Sequence, residues 1–238
     1  MRIIIPSKGR AGKMTTQDVF KVDAVYCPMN EIEEYNKAYP KLSLVGVPDN
    51  IKGITPTRNF ILDNETDSHL IMVDDDVEYF FVFENLETLK IDDWGRIKLL
   101  FENMFVMAEE IGTNLWGLQL ATDPKFYRHY SPFSLSSIVV ANLFGMIKGV
   151  QRFDERLVVK EDYDYSIMSM YRHRKILKFQ KYGVKVQHLT NQGGCVSYRT
   201  REVEEQAYQT LLKKWGSKII KRQDNKNFLV ARIPLKGI

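Results

Sequence analysis

His69-Leu70-Ile71-Met72-Val73-Asp74-Asp75-Asp76-Val77 decides how the rest of the chain is read. An apolar run of the length of a buried strand stops on three consecutive carboxylates. Acids that close together repel one another, and desolvating them raises their pKa values unless a cation neutralises them. Hard oxygen ligands suit Mg²⁺ or Mn²⁺, which bind one or two protein carboxylates together with substrate phosphates. Side chains alternate along an extended chain, so Asp74 and Asp76 are expected on one side and Asp75 on the other. Asp is also common in ordinary turns, but an all-acid triplet directly after a buried strand favours the metal site.

Upstream, Arg2 to Pro6 reads as a first parallel strand, followed by the small cationic loop Ser7-Lys8-Gly9-Arg10-Ala11-Gly12-Lys13. Loops at the carboxyl end of such strands bind ligands in open α/β sheets, and this one suits a nucleotide base or phosphate. Its spacing is neither a P-loop nor a dinucleotide fingerprint. A helix over Thr15 to Phe20, a strand over Asp23 to Cys27, an Asn30-capped helix over Glu31 to Ala38 and a strand over Leu42 to Val47 follow. Thr55-Pro56 is expected to open the next helix, Thr55 as cap, with Arg58 and Asn59 in its first turn. The dipole there favours acid, so Arg58 points either to an anion arriving from elsewhere or to a surface pair with Asp63 or Glu65. The β/α alternation predicts an α/β fold with a mostly parallel, right-handedly wound sheet.

Downstream, Glu78 to Phe83 and Leu89 to Ile91 read as a hairpin. Asp93 caps a long amphipathic helix over Trp94 to Ile111, with Gly112 beyond it. Strands are expected over Leu115 to Leu120 and Val139 to Ile147. Between them, Asp123 to Ser134 mixes Phe126, Tyr127, Tyr130 and Phe133 with Lys125, Arg128 and His129. That mixture suits stacking on a base beside a phosphate, or a loop packed on the sheet. Glu161 to His173 reads as a helix whose first turn holds Glu161, Asp162 and Asp164; capping explains one or two of these acids, and one can serve as a general base. Strands over Ile176 to Lys181 and Val184 to Gln187 lead to His188, either a polar residue or a third metal ligand or phosphate contact. An amphipathic helix over Arg201 to Trp215 and a basic tail close the chain.

The 238 residues suffice for a single domain with a full core, and 44% hydrophobic content fits a soluble globular protein. No apolar run spans a bilayer, no signal peptide is evident, and Cys27 and Cys195 are too few for a disulfide framework. The expected location is the cytoplasm. The net charge of +4 is unevenly placed: residues 171–238 carry 16 Lys/Arg against 4 Asp/Glu, and residues 1–170 carry 18 against 26. Such polarity points to a polyanionic partner, nucleic acid foremost, or to a solvated basic face.

Four stretches in this order resemble the GT-A class of nucleotide-sugar-dependent glycosyltransferases over nearly the whole chain. They are Ile3 to Arg10 (IIIPSKGR), Thr55 to Asn59 (TPTRN), Leu70 to Asp76 (LIMVDDD) and residues 149–167 (GVQRFDERLVVKEDYDYSI). In size and motif order the chain is similar to the TET-associated glycosyltransferases of bacteriophages, which are thought to sugar-modify hydroxymethylated pyrimidines in DNA. The resemblance implies a nucleotide-binding part over about residues 1–120 and an acceptor and metal-completing part over about 121–238. It implies a donor such as a UDP-sugar, Mn²⁺ or Mg²⁺, and a DNA acceptor in the cytoplasm of a phage's host. Ser7, Lys8 and Arg10 would lie at the nucleotide, Arg58 and Asn59 near its ribose and diphosphate, and Asp74 and Asp75 on the nucleotide side of the triplet. Asp76, Asp74 and His188 would hold the metal. Asp162 matches the catalytic base, with Glu161 beside it; from the aromatic loop itself, Tyr127, Arg128, Tyr130 and Phe133 are the expected acceptor contacts. A phosphatase of the haloacid dehalogenase type also has D-x-D after a strand but wants threonine or valine where Glu78 stands; the alternatives are a glycosyltransferase acting on a saccharide or other non-DNA acceptor and a non-catalytic nucleotide-sugar or DNA binding module.

Overall fold

The computed structural model describes residues 1–140, 142–187, 199–224 and 229–232. Their centre is a ten-stranded sheet. Strands β1 (Arg2–Pro6), β2 (Ala24–Pro28), β3 (Leu44–Val47) and β4 (His69–Val73) are mutually parallel, ordered β3-β2-β1-β4. Beyond β4 the sheet is mixed. It continues through β9 (Leu143–Ile147), β7 (Leu115–Gln119), β10 (Leu177–Val186), β5 (Val77–Glu84) and β6 (Glu87–Lys90), with the short β8 (Phe133–Ser134) on β10. Of these pairings only β7 with β10 is parallel. The expected α/β architecture is present, but the sheet is mixed rather than mostly parallel, its parallel pattern concentrated in β1 to β4.

Strand alternation covers both faces of this sheet. Ile3, Ile5, Ile71 and Val73 face one core with Ile97, Phe101 and Phe105 of α4 (Trp94–Glu110) and Tyr35 of α2 (Ile32–Ala38). Ile4, Leu70 and Met72 face a second core with Ile61 and Leu62 of α3 (Ile54–Asn64) and Tyr165 and Met170 of α5 (Glu161–His173). A third, smaller core joins Leu157, Val159 and Ile167 to Ala207, Tyr208 and Leu211 of α6 (Arg201–Trp215). A two-stranded ribbon, β11 (Lys221–Asp224) with β12 (Leu229–Arg232), lies in the stretch expected to be only a basic tail.

Several expected boundaries move, each for a local reason. Asp93 does cap α4, accepting from the Arg96 N–H at 2.8 Å. Thr55 does not cap α3: the helix starts at Ile54 after Gly53, which takes φ 92°, and the Thr55 hydroxyl instead donates to the Leu157 carbonyl. Arg58 and Asn59 therefore sit two positions deeper in the helix than expected. Asn30 falls in a 3₁₀ turn over Met29–Glu31 rather than capping α2. Val139 is not yet strand, because the buried Ser166 hydroxyl bonds both its N–H (3.1 Å) and its carbonyl (3.0 Å) in place of a ladder partner. The two strands expected around Gly183 are one, β10. Gly183 marks a close approach, since a Cβ there would lie 2.2 Å from Phe81 Cζ and 2.5 Å from the Gln119 carbonyl oxygen.

Candidate active site

The triplet lies at the carboxyl edge of the parallel strands. Ile4 pairs with Met72, so the loop after Pro6 leaves the sheet beside Asp74–Asp76. The triplet's backbone is held from several sides. Asp74 N–H donates to the Asn142 carbonyl (2.9 Å), and Asp74 O accepts from the Thr16 hydroxyl (2.6 Å). Asp75 O accepts from Thr15 N–H (3.0 Å), and Asp76 O from Gln187 N–H (3.1 Å) just past the end of β10. The Thr15 hydroxyl donates to Val77 O at 2.8 Å, and Val77 N–H donates to Thr16 Oγ1 at 2.9 Å. Thr15 and Thr16 read in the sequence only as the start of α1 (Thr16–Val19); their clamp spans some 60 residues and leaves no local signal.

Among the side chains, Arg10 Nη1 bridges Asp75 and Asp76, with Asp76 Oδ2 at 3.0 Å. The Ser7 hydroxyl donates to Asp75, and the buried Tyr35 hydroxyl lies 2.7 Å from Ser7 Oγ while accepting from Arg10 N–H at 3.0 Å. With both of those bonds fixed, Tyr35 must donate to Ser7. A directed chain runs from Arg10 N–H through Tyr35 and Ser7 to the Asp75 carboxylate. Asp75 thus anchors the first loop from within, and burial pushes its carboxyl up against the opposing pull of Arg10 and Ser7. Tyr35 was invisible in the sequence because it reads as a core position of an amphipathic helix. Lys8 is exposed on the loop.

The extended alternation expected through the triplet gives way to a turn at Asp75 and Asp76. Arg10 gathers those two, while Asp74 faces Arg58, whose Nη2 is 3.9 Å from Asp74 Oδ1. Crowding by protein atoms pushes the Asp74 carboxyl well up although 38% of its side-chain surface stays open; Arg58 opposes the shift, and Asp76 is the strongest of the acids adding to it.

Arg58 is the hinge of the site. It is only 2% exposed, lies over the rings of Phe144 (5.3 Å) and Phe153 (5.6 Å), and pairs through Nη1 with Glu161 Oε1 at 2.5 Å. Neither expected surface partner, Asp63 or Glu65, is its ion-pair partner: Asp63 binds Arg152 at 2.6 Å and Glu65 binds Arg2 at 3.2 Å. The buried Glu161 carboxyl is pushed up to about 7 by desolvation, against the pull of Arg58. Asp162 is half-buried, with Oδ1 accepting from Tyr163 N–H at 2.9 Å. Asn59 is turned to the 153–155 loop: its Nδ2 donates to Phe153 O (3.0 Å) and Glu155 (2.9 Å), and its Oδ1 accepts from Phe153 N–H (2.9 Å).

The aromatic loop leaves β7 at the same sheet edge, because β7 and β4 both pair antiparallel with β9. Tyr127 stacks on Phe83 at 5.8 Å, and Arg128 bonds the Lys125 carbonyl (2.6 Å) within its own loop. Phe133 packs edge-on to Phe179 at 5.4 Å yet stays exposed, and Tyr130 is 82% exposed. His188 lies outside the described residues, as does Cys195. Among the described residues no three potential ligands gather into a metal-holding group, and no helix is long and apolar enough to cross a membrane.

The fold is that of GT-A glycosyltransferases. Similar solved structures include Staphylococcus aureus TarS residues 1–349 in complex with UDP-GlcNAc, at 12% identity and TM-score 0.52, covering 89% of this chain and 67% of that one. Glucosyl-3-phosphoglycerate synthase of Mycobacterium tuberculosis, in complex with Mn²⁺, UDP and glucosyl-3-phosphoglycerate, matches at 13% and TM-score 0.51 over 98% and 90%. The mannosyltransferase PcManGT of Pyrobaculum calidifontis, with GDP-Man and Mn²⁺, matches at 11% and TM-score 0.54 over 95% and 65%. In sequence, the chain is similar to the beta-glucosyl-HMC-alpha-glucosyl-transferase of Enterobacteria phage T6, 34% identical over 80 residues. That match takes in 32% of this chain and 29% of the phage enzyme's length. The TET-associated glycosyltransferase family model matches residues 1–194, and the chain belongs to that family.

Proposed function

We propose that this protein moves a sugar from a nucleotide-sugar donor, a UDP-sugar, to a hydroxyl group, and that the acceptor is a 5-hydroxymethylpyrimidine in phage DNA. The observation that carries this reading is the joining of two acidic clusters through Arg58, which lies 3.9 Å from Asp74 and 2.5 Å from Glu161. One cluster is suited to a donor's diphosphate and the other to an acceptor's proton. Ser7 and Arg10, fixed by Tyr35 and Asp75, form the nucleotide side, with Lys8 free to reach a phosphate.

Asp74 and Asp76 fit Mn²⁺ or Mg²⁺: two mutually repelling carboxylates, one partly open, suit a cation that takes its other ligands from water and substrate phosphates. When bound, such a cation neutralises the charge that grows on the departing diphosphate. His188, one residue past the Gln187 that bonds Asp76, is kept as a further ligand on the sequence argument alone. Asp162 takes the acceptor's proton, and the Arg58-bound Glu161 next to it holds the helix start in place. Asn59 acts indirectly, by fixing the 153–155 loop. Tyr130 and Phe133 offer exposed rings for the acceptor base, while Tyr127 and Arg128 shape the loop that carries them. A base in duplex DNA must be flipped out at a cost of roughly a few kcal/mol, which stacking and phosphate contacts offset. The phage T6 relative and the excess of 16 Lys/Arg over 4 Asp/Glu in residues 171–238 support a DNA acceptor.

The test is incubation with Mn²⁺, radiolabelled UDP-glucose, UDP-GlcNAc or GDP-mannose, and either hydroxymethylcytosine-containing or unmodified DNA. Label is expected in the hydroxymethylated DNA alone, and Asp162→Asn abolishes it while Mn²⁺-dependent nucleotide binding persists. Label in neither DNA removes the nucleic-acid acceptor. Unchanged turnover in Asp162→Asn removes the base assignment, and metal-dependent nucleotide binding without any transfer supports a binding module.

A further inference from the structure

The first turn of α5 is gripped from two ends of α6. Near the start of α6, the fully buried Glu204 pairs with Lys160 at 2.7 Å and with Arg199 at 2.5 Å. Near its end, the Lys214 ammonium lies 2.8 Å from Asp164 Oδ2 and Trp215 Nε1 donates to Asp164 Oδ1 at 2.7 Å. Lys214 also reaches Asp154, 2.9 Å away in the loop that Asn59 holds. Lys160 is the cap residue of α5, and it holds the left-handed conformation at φ 64°, ψ 23° without any side-chain capping bond. A non-glycine residue there is strained and persists only where its surroundings over-determine it. Its buried ammonium, 5.4 Å from the Tyr163 ring and tied to Glu204, supplies that constraint.

We infer that α6 is a brace for the catalytic turn, with Glu204 a positioning residue that acts through Lys160 on Asp162. The inference rests on the base role proposed for Asp162. If Lys160 leaves its left-handed state, the helix start shifts, and each residue of shift turns a side chain by about 100° around the helix axis. Asp162, two positions on, would then point away from the acceptor. Glu204 and Lys214 lie outside the matched residues 1–194, so the brace is a feature of this chain beyond the part the family model covers.

Hydrogen exchange tests the brace without knowledge of the acceptor. In Glu204→Gln, the amides of Asp164 to Ile167, which bond the first-turn carbonyls, exchange faster by about tenfold or more, while those of β1 and β4 are unchanged. Glycine takes the left-handed conformation without strain, so adding Lys160→Gly to Glu204→Gln restores slow exchange. In the transfer assay kcat falls on the order of 10- to 100-fold with donor KM within about twofold, and the same double variant recovers it. Lys160→Met, which keeps the strain and removes the ammonium, replaces Glu204→Gln if the latter does not fold. Wild-type exchange in α5 of Glu204→Gln, or uniformly faster exchange across the sheet with no rescue by glycine, overturns the inference. An inactive Asp162→Asn beside a fully active Glu204→Gln sinks the brace alone, whereas an active Asp162→Asn sinks the base assignment itself.

Discussion

Two stretches of this protein each place three acids within four residues, and the fold treats them differently. In Asp74–Asp76 one guanidinium, that of Arg10, serves two carboxylates, and the third is left partly open beside Arg58. In the first turn of α5 the load is divided: Glu161 pairs with Arg58, Asp164 with Lys214 and Trp215, and Asp162 accepts from its neighbour's N–H. In the first arrangement burial above all raises the Asp74 carboxyl, Arg58 opposes the rise, and the neighbouring acids Asp76 and Asp75 add to it. In the second, Glu161 and Asp164 are each held by partners from other helices. Similar acid clusters in sequence thus differ in how the fold partners them: one guanidinium shared by two carboxylates in the triplet, a separate partner for each of Glu161 and Asp164 in α5.

Arg58 joins the two clusters, so its loss breaks the comparison most severely. Arg58→Ala is expected to cost about 3–5 kcal/mol at pH 8, because it strips a buried carboxylate of its partner. The cost shrinks at pH 5, where Glu161 takes up a proton instead; urea melts at both values check this. Arg58→Lys recovers only part, since a point charge cannot span Asp74 and Glu161 as a planar fork does.

The pH response sharpens the contrast. The Glu161 carboxyl is raised to about 7 in the folded protein, so the folded state holds this proton more tightly than the unfolded chain. Its contribution is complete below the unfolded value of about 4.3 and is lost as pH rises through about 7, a fall of at most about 3–4 kcal/mol. In Glu161→Gln that fall is expected to be absent. A stability-against-pH curve of the variant that retains the wild-type slope between pH 5 and 8 would assign the slope to other groups.

The smallest effect is expected on the triplet side. Tyr35→Phe removes one hydroxyl from the chain that links Arg10 N–H to Ser7 and Asp75, costing about 1 kcal/mol of stability. Nucleotide affinity measured by calorimetry should fall because Ser7 and Arg10 lose their preset orientation. A variant that binds nucleotide as tightly as the parent would show that Tyr35 is core packing only.

Much of the scaffold was legible one residue at a time. The apolar run before Asp74, the Asp93 cap and the spacing of Ile97, Phe101 and Phe105 are local patterns whose physics acts within a turn or a strand. The errors came where a residue's best partner lay far away. Thr55 looks like a cap but its hydroxyl bonds Leu157, 102 positions on, and Asn59 looks like a ligand contact but its side chain bonds the Phe153 backbone. Gly183 reads as a break and is a point of contact with Phe81.

By itself, the sequence determined which residues could do chemistry: the acid triplet, the acids of α5, the first loop and the aromatic stretch, because side-chain type and periodicity are local properties. Only the tertiary structure decided which acids are neutralised and by whom, since an ion pair such as Arg58 with Glu161 depends on desolvation and distance between segments 103 positions apart. No pattern within either segment encodes that meeting; it exists only once the sheet has brought α3 and α5 onto one face.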